Sequence, residues 1–131
     1  MNAPALTALT AEVAAALAEI EGHYGRRVRH EPDGQGGALV VIEEIQLPAS
    51  WAGQRAPLYF AIPFNFPAIA PYPYYLPQDV QPPPPWHQAL QPIEWRGAPM
   101  IQVSLRNANW SPARDNILGC LMQVSGWLRS Q

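Results

Sequence analysis

The sequence predicts an α+β sandwich, with two helices on one face of an antiparallel meander sheet. Three observations predict it. Apolar residues recur every three or four positions from Leu6 through Leu9, Val13, Leu17 and Ile20 to Tyr24, one buried stripe of a helix. Leu58, Phe60, Ile62, Phe64 and Phe66 alternate with Tyr59, Ala61, Pro63 and Asn65, the period of a strand with one buried face. Near the other end, Ile117, Leu121, Val124 and Leu128, flanked by Leu118, Met122 and Trp127, repeat the helical spacing. Strands bracketed by terminal helices place both helices on one side of a sheet. At 131 residues and 48% hydrophobic content, one core and one domain, 1–131, are expected.

The first helix runs from Leu6 to Tyr24, with Asn2 or Thr7 as a cap, Pro4 suited to a first turn, and Gly22 and Gly25 as alternative ends. Val28 to Glu31 and Ala38 to Leu47 form a hairpin around Pro32-Asp33-Gly34-Gln35-Gly36-Gly37, whose glycines permit positive φ. In the second strand Leu39, Val41, Ile45 and Leu47 share one face, and Glu43 breaks the alternation where a bulge fits. The strand through Phe60 peels off the sheet at Pro63, which has no N–H to donate. From about Pro67 to Pro99 no period survives, and ten or more prolines predict an irregular, proline-rich flap, with Met100 to Leu105 returning as a short strand beneath it. Ser111 as cap and Pro112 in the first turn then start the final helix, which ends near Arg129. Leu17, Leu39, Val41, Phe60, Ile62, Ile117 and Leu121 are the expected centre of the core.

Several functions are disfavoured by composition alone. Eight basic and ten acidic residues leave a net charge of −2, too little positive field for duplex phosphates, so no nucleic acid is expected. A single cysteine, Cys120, precludes an internal disulfide and any multi-cysteine metal site, and fits a reducing compartment, hence the cytoplasm. His23, His30 and His87 have no metal-ligand spacing, and no metal or other cofactor is expected. The alanine-rich, acidic start is unlike a signal peptide, and no run of 18 apolar residues provides a membrane span.

Phe60, Ile62, Phe64 and Phe66-Pro67, then Pro71, Pro73, Tyr74 and Tyr75, then Ile101-Gln102-Val103-Ser104-Leu105 and Trp110-Ser111-Pro112-Ala113, resemble in order and spacing the ubiquitin-conjugating enzymes. The resemblance covers about Tyr24 to Gln131 and extends to the wider ubiquitin-conjugating-like superfamily, including RWD domains, in its short prokaryotic form. It implies a ubiquitin-conjugating-like sandwich. It also implies where chemistry has been lost: the thioester cysteine position, eight residues before Trp110, holds Gln102, and a glutamine amide cannot carry a thioester. The family's His-Pro-Asn motif, whose asparagine stabilises an oxyanion, is reduced to Gln91-Pro92-Ile93.

The resemblance therefore implies no catalytic residue and a partner-binding surface along the former groove: Trp86, His87, Gln91, Trp95, Gln102, Asn107 and Asn109. The expected partner is a protein: a ubiquitin-like protein, its activating enzyme or an active conjugating subunit. Two alternatives stay open, a divergent active enzyme using Cys120 or noncovalent transfer, and an RWD-like interaction module unconnected with ubiquitin-like proteins. Cys120, between apolar helical neighbours, reads as an unreactive core thiol. The aromatics Tyr72, Tyr74, Tyr75, Trp86 and Trp95 either fix the flap to the sheet or present a contact patch, and Pro82 to Pro85 reads as a stiff connector or as a ligand for an aromatic groove. Glu43-Glu44 and Arg26, Arg27 and Arg29 read as solvated faces. All eight basic residues are arginine; the absence of lysine reflects either coding bias or avoidance of ε-amines beside activated thioesters.

Overall fold

The computed structural model describes residues 8–107 and 109–131. Helix α1, Ala11–Tyr24, leads into strands β1, Val28–Pro32; β2, Ala38–Gln46; β3, Arg55–Ile62; β4, Tyr74–Pro77; β5, Leu90–Trp95; and β6, Ala98–Val103; helix α2, Ile117–Arg129, follows. The strands form one antiparallel sheet in the order β1-β2-β3-β4-β6-β5. The fold is thus α+β, with a helix on either side of a six-stranded sheet in sequence and both helices packed on the same face of it.

Core positions lie in cross-strand rows. Val40, Phe60, Tyr74, Val103 and Leu90 are successive register partners, and all are buried beneath the helices. Val13, Leu17 and Ile20 of α1 and Ile117, Leu121, Val124 and Leu128 of α2 close the same cluster. The large apolar side chains at full burial supply the dominant stabilisation, at about 25 cal/mol per Å² removed from water.

Four sequence expectations are corrected. Helix α1 begins at Ala11, capped by the Thr10 hydroxyl, which accepts from Val13 N at 3.1 Å; the caps proposed at Asn2 and Thr7, with Pro4 and Leu6, lie outside the described residues. Gly25, at φ 65°, ends this helix, as one of the two glycines was expected to. Helix α2 begins at Ile117, capped by Asn116, whose Oδ1 accepts from Gly119 N at 2.8 Å; Ser111 to Arg114 form only a turn. The Asp115 carboxylate takes the Ser111 N–H at 2.8 Å, which closes that turn on itself, and Asn116 is then extended at φ −139°. The expected flap, 67–99, contains β4 and β5 and is not a continuous irregular segment. Pro92 sits on the outer strand β5, where its missing N–H faces no neighbour, so proline there is compatible with pairing.

The fourth correction concerns β2. Ala38, Val40 and Ile42 are buried, whereas Leu39 and Val41 lie half-buried on the opposite, open face. A bulge between Ile42 and Ile45, at the expected place near Glu43, switches the parity, so that Ile45 and Leu47 do reach the core. The turn after β1 is as expected: Asp33 Oδ1 accepts from Gln35 N and Gly37 N, and Gly34 and Gly36 have positive φ.

Candidate functional site

The two edges of the sheet meet across its open face. Strand β1 is one edge and β5 the other, yet the β5–β6 hairpin curls over the face until Arg96 Nη1, at its tip, lies 3.1 Å from Glu31 Oε1 of β1. Trp95, one residue before the tip, stacks on Tyr75 of β4 at 4.3 Å with ring planes 15° apart. The edge of Tyr59, on β3, meets the same indole at 5.8 Å. Beneath the hairpin opens a cleft of about 590 Å³, with Leu39, Val41, Tyr59, Trp95 and Met100 as its apolar walls and Arg29, Glu31 and Arg96 at its rim. Arg29 also pairs with Glu43 at 2.6 Å, and both ion pairs are solvent-exposed.

Gln102, expected at a lost thioester position, lies half-buried on β6 between Tyr75 and Gln91 in register, and its amide donates to Ser104 Oγ at 3.0 Å. Gln91, Trp95 and Gln102 therefore share the open face. Trp86 and His87 belong to the helix side. The Trp86 indole donates to Pro82 O at 2.9 Å and packs against the core, and His87 lies edge-on to Trp127 of α2 at 5.0 Å. Both line a smaller hollow together with Trp51, Pro82 to Pro85 and Gln131. Asn107 donates to Gln123 of α2, and exposed Asn109, at φ 61°, offers its carbonyl to Arg114. The seven residues expected to form one groove are thus distributed over the open face, the α2 end and the turn before α2.

No thiol is available at any of these places. Cys120 is buried on α2, and burial, helped by the Asp115 charge, pushes its pKa up to about 12, so the thiolate is suppressed at neutral pH. Asp115 itself is held below the usual carboxylate range by the Ser111 N–H and by Arg114. Tyr74, also fully buried, has a hydroxyl with no hydrogen-bond partner among the described residues, and burial raises its pKa. Among the described residues no three His, Cys, Asp or Glu side chains gather as a metal site. His30 faces Glu21 of α1 at 3.9 Å, and His23 lies edge-on to Tyr24. No described helix is long and apolar enough to cross a membrane.

Trp110 anchors the turn before α2, its indole donating to Pro67 O at 2.7 Å and packing on Phe66 at 5.9 Å. Phe64 and Ile69, on the loop between β3 and β4, are more than half exposed, and Arg106 caps the ring of Tyr72 at 3.9 Å. Of the cleft, sequence reasoning found Trp95 and assigned Arg29 to a solvated face; Tyr59, Glu31, Arg96 and Met100 went unassigned. The signal that points to them is Trp95-Arg96-Gly97, an aromatic beside a two-residue turn, together with apolar residues on both faces of Ala38–Ile42. No family model matches the chain, and neither a curated protein nor a solved structure matches it significantly.

Proposed function

We propose that the chain is a non-catalytic binding or adaptor protein on a ubiquitin-conjugating-like scaffold, working in a bacterial, cytoplasmic ubiquitin-like conjugation pathway. The observation that carries this reading is that the one thiol of the chain is buried, while the position the resemblance aligns with a thioester cysteine holds a glutamine. Gln102, which the resemblance aligns with the thioester cysteine, is a hydrogen-bonded strand residue, while the one thiol, Cys120, is buried with a raised pKa. A thiol that must be a thiolate to attack has no route to the surface from there. The helix, antiparallel strands, Phe66-Pro67 step and Trp110 turn support the scaffold assignment. The partner is a ubiquitin-like protein, its activating enzyme or an active conjugating subunit, held without a covalent bond.

A titration of the ¹⁵N-labelled protein with a bacterial ubiquitin-like protein, its activating enzyme and its conjugating enzyme, each purified, tests the reading. Saturable shifts with at least one of them are expected. Absence of binding to all of them contradicts the pathway assignment and favours an interaction module of another kind.

A further inference from the structure

We propose that the cleft under the β5–β6 hairpin is a binding site for a small apolar monocarboxylate, its body against Leu39, Val41 and Trp95 and its carboxylate on the Arg96 guanidinium. The inference is independent of the pathway reading above. At about 590 Å³ the hollow lies in the size range of small-molecule sites, roughly 300–1,000 Å³, and it is lined in the usual way, by apolar walls with few polar groups. Leu39, Val41, Tyr59 and Trp95 are only half-buried, so an occupant gains by covering them.

Charge selects the ligand class. Of the two guanidiniums lining the cleft, Arg29 is held by Glu43 at 2.6 Å, so Arg96, opposed only by Glu31, is the one open to a ligand; His30 turns its imidazole away to Glu21 of α1. Arg96 rests on Glu31 with both side chains more than half exposed, an ion pair of little net strength. A ligand carboxylate beside the Trp95 indole is less hydrated than Glu31 and offers the guanidinium a two-point, fork-like contact, so it displaces Glu31. The guanidinium already lies 5.7 Å from the centre of the Trp95 ring.

The backbone supports a role for Arg96. Arg96 and Gly97, at φ 52° and 80°, are the two central residues of the turn that joins the paired Trp95 and Ala98. Both positions are left-handed, the geometry in which asparagine, aspartate or glycine is favoured, and an arginine there carries strain. Strain of this kind gathers at ligand sites. The arginine side chain is what asparagine would not supply.

The test is a ¹H–¹⁵N titration with three probes: indole-3-acetate, octanoate and the neutral indole-3-acetamide. Saturable shifts of the Trp95 indole N–H and the Arg96 and Gly97 amides are expected for at least one acid. Indole-3-acetamide should bind roughly tenfold or more weakly than indole-3-acetate, the loss of one charge-assisted contact. Arg96→Asn, which suits the turn, should keep the thermal midpoint and bring the acid's affinity down to that of the amide. Equal affinity for acid and amide, an acid affinity untouched by Arg96→Asn, shifts confined to other parts of the molecule, or no shift with either acid at about 10 mM would overturn the proposal. If Arg96→Asn unfolds the domain, the acid-to-amide ratio in the unaltered protein still decides.

Discussion

Two buried side chains, Cys120 and Tyr74, carry polar atoms that the core does not need. The Tyr74 hydroxyl has no partner among the described residues although the ring is fully buried. Tyr74→Phe removes an unpaired polar atom without removing the ring, and chemical denaturation should show a gain of about 1 kcal/mol. A loss of that size instead means that the hydroxyl is satisfied. Cys120 has a folded pKa raised from the ordinary 9.0 to about 12. Below about pH 9 both folded and unfolded chains keep the proton and stability is complete; above it the unfolded thiol ionises first, so stability falls as pH rises toward 12. Denaturant midpoints at about pH 8, 9 and 10 should therefore decline, and Cys120→Ala should flatten the first part of that decline before the tyrosines, with ordinary values of 10.0, contribute. Cys120 was legible as a core thiol because it sits beside a helical apolar stripe. The missing partner of Tyr74 was not, since hydrogen bonding depends on which strand lies opposite.

Among the elements, the start of α2 separates a sequence signal from the structure that overrides it. Ser-Pro at 111–112 has the composition of a helix start, but the Asp115 carboxylate binds the Ser111 N–H and closes a separate turn, leaving Asn116 to cap the helix. Asn116→Ala should cost about 1 kcal/mol, the usual value of a lost N-cap, and Ser111→Ala much less, because Ser111 contributes its backbone to the turn. The reverse order of effects would restore Ser111 as the cap. In β2 the bulge was readable from Glu43, but its consequence for parity was not: Ala38 to Ile42 is apolar on both faces, so alternation gives no direction until the neighbours are known. Leu58→Ala, fully buried on β3, should cost roughly 2–5 kcal/mol, and Leu39→Ala, half-buried on the open face, clearly less. Equal costs would mean that the open face is as closed as the core. The strands hidden in the proline-rich stretch escaped detection for a related reason: β4 is short and paired by β3 and β6 from distant parts of the sequence, and β5, though it forms a local hairpin with β6, carries Pro92 within it.

For the whole molecule, terminal helices on one face of an antiparallel sheet were legible because each helix and the Phe60 strand have long, regular apolar periods. The shape of the open face was not, because it arises where the hairpin from one sheet edge reaches Glu31 on the other. Strand parity puts Trp95, Gln91 and Gln102 on the open face and leaves Trp86 and His87 on the helix side, so single changes at Trp86 and Trp95 should affect different contacts. The function proposed for the molecule rests on the absence of usable thiol chemistry, and intact-mass spectrometry reads that directly. The protein, of 14.5 kDa, is incubated with ATP, a bacterial ubiquitin-like protein and its activating enzyme, then split into untreated and dithiothreitol-treated samples. An unmodified mass in both samples, with a noncovalent complex under native conditions, is predicted. An untreated mass increased by one ubiquitin-like protein less water, and restored by dithiothreitol through thiol exchange at the thioester, would contradict it and make Cys120 an exposed, working nucleophile.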